Sequence, residues 1–207
     1  LFEIPADARA AALGGRIIAD LQADLHGASN NVALLDSTTE RDLAIDFVDY
    51  FAGMSLTTVN YAFKPGGKVN GQVGARFQSF GQFQEMDAAG NDLGTFKGGE
   101  SLLFSGWSYR LDSTWTFGAQ GFVGMRSLDR EVAGLLGMDL SIHGVWPHRH
   151  LAIGAGVTSL GHQFGLEGTQ PTGVLPKDLQ IGITKGFRNA PFSLYDRAGH
   201  LETWTSL

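Results

Sequence analysis

The chain contains no cysteine, which excludes disulfides, thiol catalysis and Cys-based metal sites. Proline is scarce at 6 of 207 residues, so the chain is neither collagen-like nor a Pro-rich disordered tract. Positive charge is also short. Lys and Arg number 15 against 21 Asp and Glu, giving a net charge of −6 and a pI near 5.4. A nucleic-acid partner would call for a basic patch or stripe, and nucleic acid is set aside. No apolar run approaches the roughly 20 residues of a membrane-spanning helix, which excludes helical spanning. The chain opens at Leu1 without a charged-then-apolar leader, which suggests a mature form whose export signal has been removed.

What is present is alternation. From residue 69 to 80, Val69, Val73, Ala75 and Phe77 share one strand face, and Asn70, Gln72, Arg76 and Gln78 share the other. A soluble sandwich also alternates, but its strands usually run about 5–6 residues, whereas this one has the length to cross a bilayer at a tilt. Trp115, Phe117, Ala119, Val123 and Met125 likewise oppose Thr116, Gly118, Gln120 and Gly124. Leu151, Ile153, Ala155 and Val157 oppose Ala152, Gly154, Gly156 and Thr158. One face is apolar and the other polar or small, the pattern of a transmembrane barrel strand. Glycine at 29 of 207 suits barrel bends and a crowded lumen, and 14 Phe suit an outer apolar band.

Turn signals divide the chain. Strands are expected over 42–49, 56–63, 69–80, 100–111, 114–125, 132–146, 151–160 and 178–185, with a ninth starting at Phe192. Tight turns fall at 64–68, 112–113, 147–150 and 188–191; long loops fall at 84–97 and 161–176, with a charged connection over 126–131. Short periplasmic turns alternating with longer extracellular loops are the habit of outer-membrane barrels, so the tight turns are assigned to the periplasm. Residues 1–40 form a separate plug segment and 41–207 the barrel. An odd strand number leaves an unpaired edge, which is costly in lipid, so C-terminal strands are expected to be missing.

The Ala-rich stretch Pro5-Ala6-Asp7-Ala8-Arg9-Ala10-Ala11-Ala12-Leu13-Gly14-Gly15 reads as a short helix ending at glycine, followed by Ala28-Ser29-Asn30-Asn31-Val32-Ala33-Leu34-Leu35. With Asp49-Tyr50-Phe51-Ala52-Gly53, Phe80-Gly81-Gln82-Phe83 and the end 201–207, this resembles the FadL-like outer-membrane barrels, and within them the PorQ family of the type IX secretion system. The family shows Asn-Pro-Ala where this chain has Asn31-Val32-Ala33, and its members are longer, with about fourteen strands expected. The resemblance implies a Bacteroidota outer-membrane protein that anchors a PorZ-like surface protein, which works with PorU and PorV to process cargo and join it to lipopolysaccharide. Docking is then expected on the long loops, at Asp87, Asn91, Asp92, His162, Gln163 and Glu167.

Arg76, Gln78, Gln120, Asp139, Ser141 and His143 are expected to face the lumen. Asp139, Ser141 and His143 form a row that imitates a hydrolase triad, but same-face residues sit roughly 6.6–6.8 Å apart, and polar lining is the simpler reading. His148 and His150 flank Arg149 in a tight turn, and with His143 and His162 they tempt a metal reading, which the adjacent cation opposes. The Gly154-Ala155-Gly156 run lies within a strand and lacks the third glycine of a dinucleotide fingerprint. Trp107, Tyr109, Trp115 and Trp146 gather near the tight turns as an interfacial aromatic belt would. The sequence therefore reads as a non-enzymatic barrel without cofactor or metal. Its alternative is a FadL-type channel for hydrophobic small molecules, with a plug that moves.

Overall fold

Period-two patterning produces nine antiparallel strands in the computed structural model, which describes residues 5, 7–12, 15–22, 24–129, 131–167 and 173–186. They are β1 (Leu43–Asp49), β2 (Ser55–Gly66), β3 (Val69–Met86), β4 (Asp92–Arg110), β5 (Trp115–Leu128), β6 (Glu131–Trp146), β7 (Leu151–Glu167), β8 (Gly173–Val174) and β9 (Asp178–Lys185). Strands β1 to β7 pair in chain order, and β7 carries β8 at its far end and β9 at its near end. Among the described residues β1 and β9 are not paired with each other, and the sheet is open. No helix among the described residues is long and apolar enough to cross a membrane. The expected turn at 188–191, the strand from Phe192 and the stretch 201–207 lie outside the described residues.

Two expected loops are largely strand. Residues 84–97 belong to a hairpin in which β3 runs to Met86 and β4 starts at Asp92, with Phe83 facing Phe96 in register. Glycine and acidic residues disguised it, because this ribbon has no buried face to impose alternation. Residues 161–176 continue β7 to Glu167, then supply β8, whose Val174 and Gly173 pair with His162 and Gln163. Here the signal failed for a different reason. A bulge places Thr158 and Ser159 opposite Asp139, with Ser159 at φ 60°, and the inside/outside phase shifts by one residue. The 126–131 connection shrinks in the same way, since β5 reaches Leu128 and β6 begins at Glu131.

The N-terminal segment is irregular and capped at every step. Helix α1 (Ala8–Ala12) precedes Gly15, whose N–H bonds the Ala10 carbonyl from a positive φ that suits glycine. Asp24 caps α2 (Leu25–Ala28), Asn31 caps a 3-10 turn at Val32–Leu34, and Asp36 caps another at Ser37–Thr39. Arg9 ties the segment to itself through Asp20 and Asp24.

The two faces of the sheet are inverted relative to a water-soluble protein. Leu43, Ile45, Phe47, Val73, Phe77, Leu103, Trp107, Phe117, Val123, Leu136, Leu140, Ile181 and Ile183 lie exposed on one face. The other face buries Asn60, Asn70, Gln72, Arg76, Ser108, Gln120 and Thr184 against the N-terminal segment. Conventional apolar burial is confined to small clusters. Leu102, Phe104, Phe122, Leu135 and Leu175 form one toward the far end, and Leu25, Ala28, Val32 and Leu35 join Ala44 and Ala62 in another.

Candidate functional site

A chain of side-chain amides crosses the inner face. Asn60 Nδ2 donates to Gln72 Oε1 at 3.0 Å, Gln72 Nε2 to Gln120 Oε1 at 2.8 Å, and Gln120 Nε2 to Asp139 Oδ2 at 3.3 Å. Asp139 Oδ1 then accepts from the Ser159 amide at 2.7 Å, so the chain runs from β2 to β7. Gln72 on β3 and Gln120 on β5 meet across β4 because Gly106 stands between them. A Cβ there would lie 3.0 Å from Gln72 Nε2 and 3.1 Å from Gln120 Oε1.

This network also holds the N-terminal segment. Gln72 Nε2 donates to the Ala28 carbonyl at 3.1 Å, Asn60 Nδ2 to Ser29 Oγ at 3.1 Å, and Ser108 Oγ to the Leu35 carbonyl at 2.9 Å. Ser141 Oγ accepts from the Ala33 amide at 3.3 Å, and Thr184 Oγ1 donates to the Ala19 carbonyl at 2.8 Å. An irregular segment has unpaired backbone groups, and polar side chains aimed at them make its burial affordable. Close approach does the rest. A Cβ on Gly154 would fall 2.0 Å from the Ile18 carbonyl oxygen, and one on Gly118 would fall 2.5 Å from the Ala33 nitrogen.

The residues expected to face a lumen lie on the face that meets the N-terminal segment. Arg76, Gln120 and His143 are buried on the inner face, while Gln78 is half-buried beside Glu100 in register. Asp139, Ser141 and His143 share that face without forming a relay. Asp139 engages Gln120 and Ser159, Ser141 engages Ala33, and His143 lies beside the Asp20 backbone. Further toward the far end, Arg126 Nε pairs with Glu100 Oε2 at 2.9 Å.

The residues expected to dock a partner divide. Asp87 and Asn91 form the β3–β4 turn: Asn91 Nδ2 donates to Asp87 Oδ2 at 2.7 Å, and the amides of Asn91 and Ala89 donate to Asp87 Oδ1 at 2.8 Å. These bonds, the Asn91 side chain first, hold the Asp87 carboxyl below the usual carboxylate range. Asp92 accepts from Gln84 Nε2 and the Gly94 amide, both at 2.8 Å. His162 is exposed on the outer face, paired with Leu136, whereas Gln163 pairs with inner Leu135. Glu167 ends β7, and its side chain lies outside the described residues.

The four aromatics near the tight turns lie on the outer face. Trp107 meets Phe63 edge-on at 5.3 Å, and Trp115 meets Trp146 edge-on at the same separation. His148 and His150 flank the turn after β6, far along the sheet from His162. Among the described residues no cluster of three or more His, Asp or Glu could hold a metal ion. The sequence reading missed Asn60, Ser108 and Gly106, although a polar or small residue at every second position was the available signal.

Two of the cavities between the segment and the sheet are small. One of about 20 Å³ is lined by Arg16, Thr58, Arg76, Asp139 and Thr158, and one of about 10 Å³ by Asn31, Gln120 and Ser141 among others. Each has room for about one water. A larger cavity of about 180 Å³ opens at the tight-turn end, beside Asp112 and Thr114. Neither a protein-family model nor a curated protein matches the chain.

Proposed function

We propose that this chain is the wall and plug of an outer-membrane β-barrel that acts as a non-enzymatic anchor for a surface protein. The observation that carries the membrane reading is the inversion of the sheet: its exposed face is apolar and its buried face polar. In water, a continuous apolar face of that size is an aggregation liability; in a bilayer it is the required surface. The strand lengths agree. About 9–11 tilted residues span the hydrocarbon, and β3 and β4 have 18 and 19, so their far ends project beyond it as the 80–97 ribbon.

Anchoring is supported over transport by how the lumen is filled. A FadL-type channel for hydrophobic molecules needs an apolar passage beside its plug, whereas this segment is hydrogen-bonded to β2, β3, β4, β6 and β9 around cavities of about 20 and 10 Å³, and the cavity of about 180 Å³ at the tight-turn end is lined mostly by polar residues. The sequence resemblance supplies the finer identification: a PorQ-like component of type IX secretion that holds a PorZ-like protein, with PorU and PorV in the same complex and lipopolysaccharide around it.

The test is a mild-detergent pull-down from native outer membrane with mass spectrometry of what stays bound. Stoichiometric recovery of a large surface protein with PorU-like and PorV-like partners is expected. Recovery of the barrel alone carrying a fatty acid would establish the channel reading, and a chain found in the aqueous fraction would overturn both.

A further inference from the structure

At the tight-turn end of β6, β7 and β9 the outer face brings two cations up to a pair of indoles. Pairing across these strands sets Trp146, Leu151 and Lys185 in one row, and the next row holds Gly144, Ile153 and Ile183. The Trp115 ring lies over Gly144, where an added Cβ would come within 2.7 Å of it, and meets Trp146 edge-on at 5.3 Å. Trp115, Trp146 and Leu151 are half-buried and Ile183 is exposed, so an apolar surface runs along the outer face and stops at Lys185.

The two cations are tied together by the backbone. Gly186 N–H donates to the His150 carbonyl at 2.8 Å and Lys185 Nζ donates to the Arg149 carbonyl, which fastens the turn after β6 to the end of β9. The Lys185 ammonium keeps two further protons to donate, and Arg149 stands on the exposed turn. Among the described residues neither of them is in an ion pair, whereas Arg9, Arg16, Arg110 and Arg126 each face a carboxylate. The opposite end of the sheet has the reverse balance, since the 80–97 ribbon carries Glu85, Asp87 and Asp92 against Lys97. Positive charge without a counter-charge, beside indoles and at the edge of an apolar wall, matches an anion that comes with hydrocarbon attached.

We propose that this patch docks an anionic glycerophospholipid from the leaflet at the tight-turn end, with its phosphate within reach of Arg149 and Lys185 and its acyl chains along Leu151, Ile153 and Ile183. The proposal rests on the bilayer reading of the outer face. In that setting Trp sits at headgroup level, and Lys and Arg extend from an apolar surface to the phosphates. A zwitterionic lipid would add a third cation to the two already present, so charge selects the anionic one.

The test places the full-length chain in phosphatidylcholine vesicles that contain either dibrominated phosphatidylglycerol or dibrominated phosphatidylcholine, and reads tryptophan quenching. The W107F/W204F variant keeps Trp115 and Trp146 as its only indoles. Both lipids are expected to quench, the anionic one with about fivefold higher apparent affinity at low salt and less at high salt, as cations near a charged membrane surface imply. R149Q/K185Q should abolish that preference and leave quenching by brominated phosphatidylcholine as it was. Equal quenching by the two lipids, or a preference that survives in R149Q/K185Q, would overturn the proposal and leave the bilayer reading standing. Displacement of the brominated lipid by lipid A more readily than by phosphatidylglycerol would also overturn it, by moving the site to the other leaflet. Quenching by neither lipid would overturn the bilayer reading itself. The unsubstituted chain, with the same two indoles among its four, decides by its lipid preference and salt dependence if a variant misfolds.

Discussion

The inner and outer faces of the sheet obey opposite rules. Inside, Gln72 is wholly buried and satisfied by Asn60, Gln120 and the Ala28 carbonyl, so a polar side chain does the packing. Outside, Leu103 is 59% exposed on a strand whose inward neighbours Leu102 and Phe104 are buried. A water-soluble sheet keeps apolar side chains in and polar ones out. The reversal teaches that the surroundings of the outer face, rather than any core within the chain, account for its composition, and this is why the proposed function begins with a bilayer.

The sharpest way to break the comparison is a charge on the outer face. Leu103→Arg is expected to destabilise the protein in lipid vesicles by about 2–4 kcal/mol, measured by urea unfolding, because a cation near the bilayer midplane loses its hydration. An exposed position in water would tolerate the change within about 0.5 kcal/mol, and that result would discard the bilayer reading.

A disturbance of the inner face comes next. Gly154→Val puts a side chain where the Ile18 carbonyl passes, and the obstacle is backbone rather than a flexible tip. A loss of about 1–3 kcal/mol is expected. Limited proteolysis should then cut the N-terminal segment faster while the sheet stays intact, and an unchanged cleavage rate would mean the segment is not held at Gly154.

The smallest effect belongs to the β3–β4 turn, which neither face governs. Asp87 has a lowered carboxyl pKa when folded, so its contribution is present above the ordinary carboxylate range and is lost as pH falls through the folded value. The protection factors of the Ala89 and Asn91 amides should therefore fall on acidification below about pH 4, with those of the sheet amides unaffected. Asn substituted at Asp87 should remove that pH dependence.

Much of the sheet was legible because a strand with two unlike faces writes its two environments into alternate residues. Val73 and Phe77 against Gln72 and Arg76 show it without structural help. Legibility stopped where that pressure stopped. The 80–97 ribbon is exposed on both sides, so nothing enforced alternation, and its pairing rests on the backbone ladder and a Phe83–Phe96 stack at 5.3 Å. In β7 the pattern persisted but slipped phase at Ser159, and a strand was read as a loop. Asp139, Ser141 and His143 share one face of the sheet, yet Asp139 is held by Gln120 and Ser159, and Ser141 by Ala33 of the N-terminal segment.

By itself, the sequence determined the strands where one face is apolar and the other polar or small, and the turns at 64–68, 112–113 and 147–150. All of these follow from local sterics, short-range hydrogen bonds and a period of two. Only the tertiary structure decided that Gly106 lets Gln72 meet Gln120 and that Gly154 makes way for Ile18. It alone brought Asp36 and His143 to the rim of one cavity, because those relations depend on which segments lie across from each other, separated by tens to more than a hundred residues of chain.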